Sequence, residues 1–552
     1  MRDRAALVRT IVALATIGSL TILAYARSFE GQWISDDVTL VAEEQSVHSL
    51  SPANLRTIAT SRTDGVNYMP LNFLSIAIDY HLWGPFPAGF HLMNLMIHLA
   101  NAFAIYFLLL RLRESPGLAT AAALVWSLHP VQVETVAWIS ERKNVLSTLF
   151  FLLAFHTYLR YSARPRPATY VGLVGAYLAA LLSKVNTIVL PALTLAYEVV
   201  WHGRLRARNV LATIPLFACG FAVAFANLHG NTSHGAAYHG GSLAVTMRTS
   251  STTIPRYLWN ALVPFDLSYV YEVPLRASWA DPPVAGALSV IVGLVALTCW
   301  LAWRRQPDAF WLAWFGITLS PMLNLVPFPA LMNDRYLYLP LLGLVVPILH
   351  LGRRILDRFG AAAAAPWVVG TIACGLGVLT MQRVPVFRNE LNLWADGMLK
   401  TCYITADYPW GPPPRVEEKR LLEDERQRHP DRACLYNNLG GFAFEDNRLA
   451  DALPLLARAA DLDPTHPTIA LNLGRTQLAL GRNADAIRTL ELATALEPPS
   501  FFAQLNLARA YLRTNDLARA RATLVTAKTI KTDPNFWLGF ERQLAAAEQR
   551  AS

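Results

Sequence analysis

Charge is scarce in this chain. Only 16% of its 552 residues are Asp, Glu, Lys or Arg, against 53% hydrophobic. With a mean hydropathy of +0.30, the chain is too apolar and too long to be one soluble core. Cysteine is equally sparse at five residues, which excludes a disulfide-dense scaffold. Several catalytic motifs are also absent: a P-loop, a GxGxxG between strand and helix, a clustered Cys/His zinc spacing and a GxSxG elbow. Their absence argues against an ATP-driven pump, a dehydrogenase, a zinc protease and a serine hydrolase.

Apolar runs, by contrast, are abundant. They fall at roughly 9–26, 88–110, 117–131, 145–160, 168–183, 185–201, 209–227, 284–303, 308–326, 336–352 and 364–382, and are read as membrane spans on the scale of about 17–25 residues each. This pattern predicts an all-α, polytopic bundle of about eleven spans. Basic residues recur in every second loop: Arg2, Arg4 and Arg9; Arg111 and Arg113; Arg160, Arg164 and Arg166; Arg204, Arg206 and Arg208; Arg304 and Arg305; Arg353, Arg354 and Arg358. The positive-inside rule then puts the N-terminus inside and everything after about residue 383 outside. Segment 248–264, interrupted by Pro255 and Arg256, breaks that alternation if counted as a span and is read as an interfacial or re-entrant helix. The first run has no small-residue cleavage site after it and is read as a retained span. The net charge of +9 comes largely from the inside loops and does not point to nucleic acid. Roughly forty of the 48 basic residues are Arg, a bias associated with GC-rich bacterial genomes, so the expected location is a bacterial inner membrane with the tail in the periplasm.

The tail repeats with a period near 34 residues, the length of a tetratricopeptide helix pair. Asn438-Leu439-Gly440, Asn472-Leu473-Gly474 and Asn506-Leu507-Ala508 set the register. Ala452, Ala486 and Ala520 follow where paired helices cross, then Ala459, Ala493 and Ala527. The expected organisation is a transmembrane domain over 1–390, with a first outer loop at about 27–87, a Pro-rich outer linker over 391–432, and repeats over 433–552 closed by a capping helix at about 535–549. Cys219, Cys299 and Cys374 lie in spans as small packing residues, while Cys402 and Cys434 bracket the Pro-rich segment DYPWGPPPRVEEKR and form either a disulfide or two free thiols. The groove of such an array takes extended peptide, or serves as a structural cap or dimer surface.

The chemistry concentrates on the outer side. In GQWISDDVTLV, the pair Asp36-Asp37 follows Trp33. Adjacent residues diverge by about 100° on a helix, so one carboxylate points into a cavity while the other holds a cap, a cation or its neighbour; a plain helix N-cap is the alternative. Residues 67–84 read as an interfacial helix. His91, Asn94, His98 and Asn101 form one stripe on span two, either lining a polar cavity or bonding a neighbouring helix. HPVQVETVAWISERKN, 129–144, gathers His129, Glu134, Glu141, Arg142 and Lys143; its cations suit a lipid phosphate or local salt bridges. Lys184 and Arg335 are further outer cations, snorkelling singly or forming a phosphate clamp with Arg142 and Lys143.

Taken in order, ISDD (34–37), YMPLNFLSIA from 68, GFHLMNLMIHLANAF from 89, SLHPVQVETVAWISERKN from 127, LLSK (181–184), NDRYLYLP from 333 and RNELNLW from 388 resemble the transmembrane and tetratricopeptide repeat-containing (TMTC) family, O-mannosyltransferase-like members of the GT-C membrane glycosyltransferases. The resemblance implies a polyprenyl- or dolichyl-phosphate sugar donor, mannose foremost, and transfer to Ser or Thr of proteins on the non-cytoplasmic face with inversion. It maps Asp36 and Asp37 onto the catalytic pair, one as general base, and Arg142, Lys143 and Arg335, joined by Lys184, onto donor-phosphate contacts. His91, Asn94, His98, His129, Glu134 and Glu141 would line the cavity. No tightly bound cofactor and no metal ligand set is expected; a divalent ion is neither implied nor excluded. The expected partners are the lipid-linked donor, a protein or peptide acceptor on the repeats, and membrane lipids. Two departures stand out: the insertion at about 401–434 and only three evident repeats. Transfer to a lipid or polysaccharide, and a non-catalytic scaffold, are the competing readings.

Overall fold

A computed structural model describes residues 2–64, 67–228, 238–402, 415–530 and 534–551, and among these there is no strand. The helices run α1 (Arg2–Tyr25), α2 (Pro52–Thr60), α3 (Pro70–Trp83), α4 (Pro87–Arg111), α5 (Pro116–Ser127), α6 (Val133–Ala137), α7 (Arg142–Ala163), α8 (Pro167–Ser183), α9 (Leu190–His202) and α10 (Ala207–Leu228). They continue with α11 (Leu243–Ser251), α12 (Thr253–Leu262), α13 (Pro282–Trp303), α14 (Asp308–Leu319), α15 (Leu342–Arg358) and α16 (Ala365–Arg383). Pro in the first turn starts α2, α3, α4, α5, α8 and α13, where its missing N–H leaves no bond unmade. Ser51 and Ser115 cap α2 and α5 through Asn54 N and Leu118 N.

Each expected span coincides with a helix, but not all are long. Among the described residues, five helical stretches are long and apolar enough to cross a bilayer, 4–30, 87–111, 207–227, 282–303 and 362–387. Helices α5 and α14 have 12 residues each, about 18 Å at the helical rise, and cannot cross about 30 Å of hydrocarbon alone. Segment 248–264 divides into α11 and α12, of nine and ten residues, too short to span; α12 exposes Trp259 and Leu262 while burying Tyr257 and Asn260. Helices α7, α9 and α14 close on an aromatic core in which Phe310 stacks on Phe155 at 5.8 Å and meets Trp201 edge-on at 4.9 Å. The 67–84 helix, α3, is more than interfacial, since Phe73, Ile76 and Asp79 are buried.

The linker is not merely Pro-rich. It carries α17 (Glu390–Lys400) and α18 (Arg415–Arg428), while 403–414, most of the Pro-rich stretch, lie outside the described residues. Cys402 and Cys434 are joined in a disulfide, which ties the end of α17 to α19 (Ala433–Glu445). Helices α19 to α24 form three pairs: α19 with α20 (Leu449–Leu462), α21 (Pro467–Ala479) with α22 (Asn483–Leu496), and α23 (Phe501–Arg513) with α24 (Leu517–Ile530). The small residues are where the repeat register puts them: Ala452, Ala486 and Ala520 are fully buried. A Cβ on Gly440 or Gly474 would come 2.6 Å from Leu456 or Leu490, so the first two pairs cross where glycine fits best, and the third carries Ala508 at that position. Helix α25 (Pro534–Ala551) caps the array with Trp537 buried.

Candidate functional site

Asp36 and Asp37 lie in the loop after α1, and the charged groups around them come from the start of α7, the C-cap of α8 and the turn Asp334–Leu337. Ser35 sits at φ +47°, a left-handed position that turns the chain sharply at ISDD, and its amide is held by Glu390 Oε2 at 2.8 Å. A π-helical turn, Val38–Ala42, follows. The turn separates the two carboxylates. Asp37 is fully buried and accepts from the Ser140 backbone amide at 2.7 Å and from its hydroxyl. Burial raises its carboxyl to about 7, against the pull of the Ser140 hydrogen bonds. Asp36 stays half-buried. Burial raises its pKa as well, opposed by the charges of Lys143 and Arg335 and reinforced by Glu141.

Beside Asp36, one carboxylate gathers three cations. Glu141 lies 3.3 Å from Lys143 Nζ, 3.4 Å from Arg335 Nε and 3.9 Å from Lys184 Nζ. Burial alone would raise the Glu141 pKa, yet Lys143, Arg335 and Lys184 together outweigh it and hold the group at about 2. Lys184 moves the other way: burial, assisted by Lys143 and Arg335, lowers it to about 7 despite Glu141. Asn144 links the group, accepting from Lys184 Nζ at 2.7 Å and donating to Glu141. Glu134 accepts from the Arg335 backbone amide at 2.9 Å and pairs with its guanidinium, which also lies over the Trp138 ring at 5.3 Å. A small polar recess adjoins Arg335 and is lined with Asn144, Ser147, Thr148, Asn186 and Thr318. Three cations and a carboxylate of raised pKa suit a phosphate-bearing group beside a hydroxyl that gives up its proton.

Six expected residues do not join this site. Arg142 is fully buried and turned into the bundle, where it donates to Asp79 Oδ2 at 2.6 Å, to the Phe90 carbonyl at 2.9 Å and to Asn94 Oδ1. It is a structural ion pair; Nη1 has no partner, but the whole guanidinium is buried out of reach of the site. Adjacent residues at the start of α7 diverge, so Lys143 faces the site and Arg142 the core. The stripe on α4 bonds neighbouring elements instead of lining a cavity: Asn94 donates to the Trp138 carbonyl at 3.1 Å, and His98 Nε2 to the Ser127 carbonyl at 3.1 Å while Nδ1 accepts from the Tyr338 hydroxyl at 2.7 Å. Asn101 donates to the Val145 carbonyl at 2.9 Å, and His91 packs against Gly31, where a Cβ would collide with its ring. His129 donates through Nε2 to the Ala261 carbonyl at 3.1 Å. Residues the motifs did not single out also shape the site: Ser140, Asn144, Glu390 and Tyr269, the last sharing a hydrogen bond with Ser35 Oγ at 3.4 Å. Asp79 carried a legible signal, a lone carboxylate within an apolar helix that calls for a buried cation.

Known proteins resemble parts of this chain. The tetratricopeptide repeat family matches residues 443–504, and a second tetratricopeptide repeat family matches 502–525. Protein O-mannosyl-transferase TMTC4 of Homo sapiens is 31% identical over 169 residues, 27% of this chain and 23% of that protein. TMTC1 of Mus musculus is 33% identical over 157 residues, 27% of this chain and 17% of that protein. Tmtc3 of Drosophila melanogaster is 25% identical over 249 residues, 39% of this chain and 26% of that protein. The matches thus span about a quarter or less of these relatives' length. Among solved structures, the Archaeoglobus fulgidus oligosaccharyltransferase tethered to an acceptor peptide aligns over 73% of this chain and 59% of its own at 14% identity and a TM-score of 0.37, too low a likeness to establish a shared fold. The protein is therefore an all-helical membrane protein with a tetratricopeptide-repeat tail, related in sequence to the TMTC protein O-mannosyl-transferases, the family its motifs resemble.

Proposed function

We propose that the protein is a GT-C-type membrane glycosyltransferase that moves a sugar, mannose by analogy with the names of its relatives, from a polyprenyl-phosphate carrier to Ser or Thr hydroxyls of proteins. The observation that carries this reading is the half-exposed Asp36 beside Lys143 and Arg335, cations that share Glu141 with Lys184.

In this reading Asp36 is the general base. Its raised pKa makes it a better proton acceptor than an ordinary carboxylate, the kind of group that contributes about 10²–10⁴-fold. It takes the proton from the acceptor hydroxyl, whose oxygen attacks the anomeric carbon from the face opposite the phosphate. The new carbon–oxygen bond forms as the bond to the phosphate oxygen breaks, and the leaving phosphate keeps the electron pair. Lys143, Arg335 and Lys184 stabilise the charge that develops there. Asp37 positions Asp36 by anchoring the turn to Ser140. The repeats would present the acceptor, the bilayer would hold the carrier lipid, and the site and the repeats would share the periplasmic side of a bacterial inner membrane. No tightly bound cofactor enters the scheme.

The test is mass spectrometry of proteins from that compartment, comparing cells with the native protein and with an equally expressed Asp36→Asn variant. Loss of a specific hexose from Ser or Thr supports the reading. An unchanged glycoproteome with an altered glycolipid moves the acceptor to lipid or polysaccharide, and no change in either leaves a scaffold.

A further inference from the structure

Between α12 and α13 an irregular segment of chain, Leu267–Glu272, bent at Tyr269 and Val270, runs between the site and the repeats. Its side chains divide between the two. Toward the membrane half, Tyr269 shares its hydroxyl with Ser35 Oγ at 3.4 Å and meets Trp138 edge-on at 5.6 Å. Tyr271 donates to Asp334 Oδ1 at 2.6 Å, one residue from Arg335. Toward the tail, Val270 packs on Gly397, and the Glu272 carboxylate accepts from the Cys402 amide at 3.2 Å and the Thr468 hydroxyl at 2.5 Å, with His466 at 3.5 Å.

Those last partners lie on both sides of the disulfide junction. Thr468 and His466 stand at the N-terminus of α21, where the helix dipole favours a carboxylate, and α21 also carries Asn472 and Arg475, which line a shallow recess between the first two repeats. The strap is held from above at two more points: Asp396 accepts from the Tyr269 amide at 3.0 Å, and Lys400 donates to the Leu267 carbonyl. One continuous set of contacts therefore runs from the second repeat, through Glu272 and Tyr269, to the turn that carries Asp36.

We propose that this strap couples the repeats to the site, with Glu272 the positioning residue on the repeat side and Tyr269 the positioning residue that steadies the Asp36 turn. The proposal rests on Asp36 being the base. A shift of α21 when a polypeptide binds the repeats pulls on Glu272, and the strap passes the displacement to Ser35.

Hydrogen–deuterium exchange on the full-length protein in lipid nanodiscs tests it. Tyr269→Phe keeps the ring and removes only the hydroxyl; amides 33–38 then exchange about tenfold faster, while 466–480 are unaffected. Glu272→Ala accelerates both regions. Glu497→Ala breaks a separate repeat contact, to the Leu275 amide at 2.8 Å, and leaves 33–38 as they were. Unchanged exchange at 33–38 in the first two variants, or equal acceleration in the third, overturns the coupling. Sugar transfer followed on the same samples separates the readings: in an active preparation Tyr269→Phe lowers kcat and leaves the donor KM alone, whereas a wild-type preparation that transfers no sugar removes the glycosyltransferase reading and leaves the exchange result to stand by itself.

Discussion

Asp37 and Ser140 are joined twice, through the Ser140 amide and through its hydroxyl, although 103 residues separate them. This bond pins the first outer loop to the segment that carries Glu141 and Lys143. It also divides the labour of the aspartate pair. Asp36→Asn should lower kcat by about 10²–10⁴-fold with an unchanged thermal midpoint in detergent. Asp37→Ala should instead leave the Ser140 amide unsatisfied, at a cost of about 1–3 kcal/mol, read as a lower midpoint together with a partial loss of rate. Equal melting and equal loss of rate in the two variants would refute the division.

Lys184 and Asp36 set opposite limbs of a pH profile. Lys184 titrates at about 7 because of its burial, so its charge is lost as the pH rises through 7 and the KM for lipid-phosphate donor should climb there. Lys184→Arg keeps the charge and should remove that rise. On the stability side the sign is reversed. A lysine with a lowered native pKa opposes folding while protonated, and this opposition fades from pH 7 toward its ordinary 10.5.

Arg142 and Arg335 are both arginines at the outer face, yet their substitution should be read out differently. Arg142→Gln strands Asp79 in the bundle and should cost about 3–5 kcal/mol, visible as loss of folded protein in membranes; Arg142→Gln with Asp79→Asn should recover part of it. Arg335→Gln leaves Glu134 its bond from the residue-335 backbone amide and Glu141 its two lysines, so it should cost less stability than Arg142→Gln while lowering kcat/KM by about 10²–10³-fold. A folded, inactive Arg142→Gln protein would contradict this assignment.

The Cys402–Cys434 bond closes a segment of sequence separation 32 and should contribute about 2–4 kcal/mol to the folded junction. Cys402→Ser with Cys434→Ser, or reductant on the wild type, should speed limited proteolysis within 396–432 and leave the helices of the membrane half intact.

Gly474→Ala should cost about 1–3 kcal/mol, because its Cβ would come 2.6 Å from Leu490 Cγ. The loss should appear as early melting of the repeats by circular dichroism. Gly481, with open space around it but φ +75°, should tolerate Asn better than Ala.

The repeats were legible in the sequence because each unit makes the same close crossing at the same offset, so Gly440 with Ala452 and Gly474 with Ala486 spell out the geometry. The site was legible in its charges: Lys143, Lys184 and Arg335 each stand at the outer end of an apolar run, where desolvation permits few ions. Arg142 looked equivalent to Lys143 because its partner, Asp79, is 63 residues away, and nothing local distinguishes a buried guanidinium from an exposed one. The same holds for α4: a stripe of polar residues tells which face is occupied, while its partners, the carbonyls of Ser127, Val136, Trp138 and Val145, belong to backbone that no side-chain pattern reveals. Helices α17 and α18 were hidden by the prolines between them.

The disulfide also has a consequence for how the chain is made. Its two cysteines are neighbours in synthesis, and Asn437 and Asn438 of α19 already grip the carbonyls of Met398, Thr401 and Cys402. Everything needed to fasten the first tail helix to the membrane half has emerged before α20 to α25 are translated. The later repeats then stack onto an edge that is already anchored, and the array grows outward from the site in one direction.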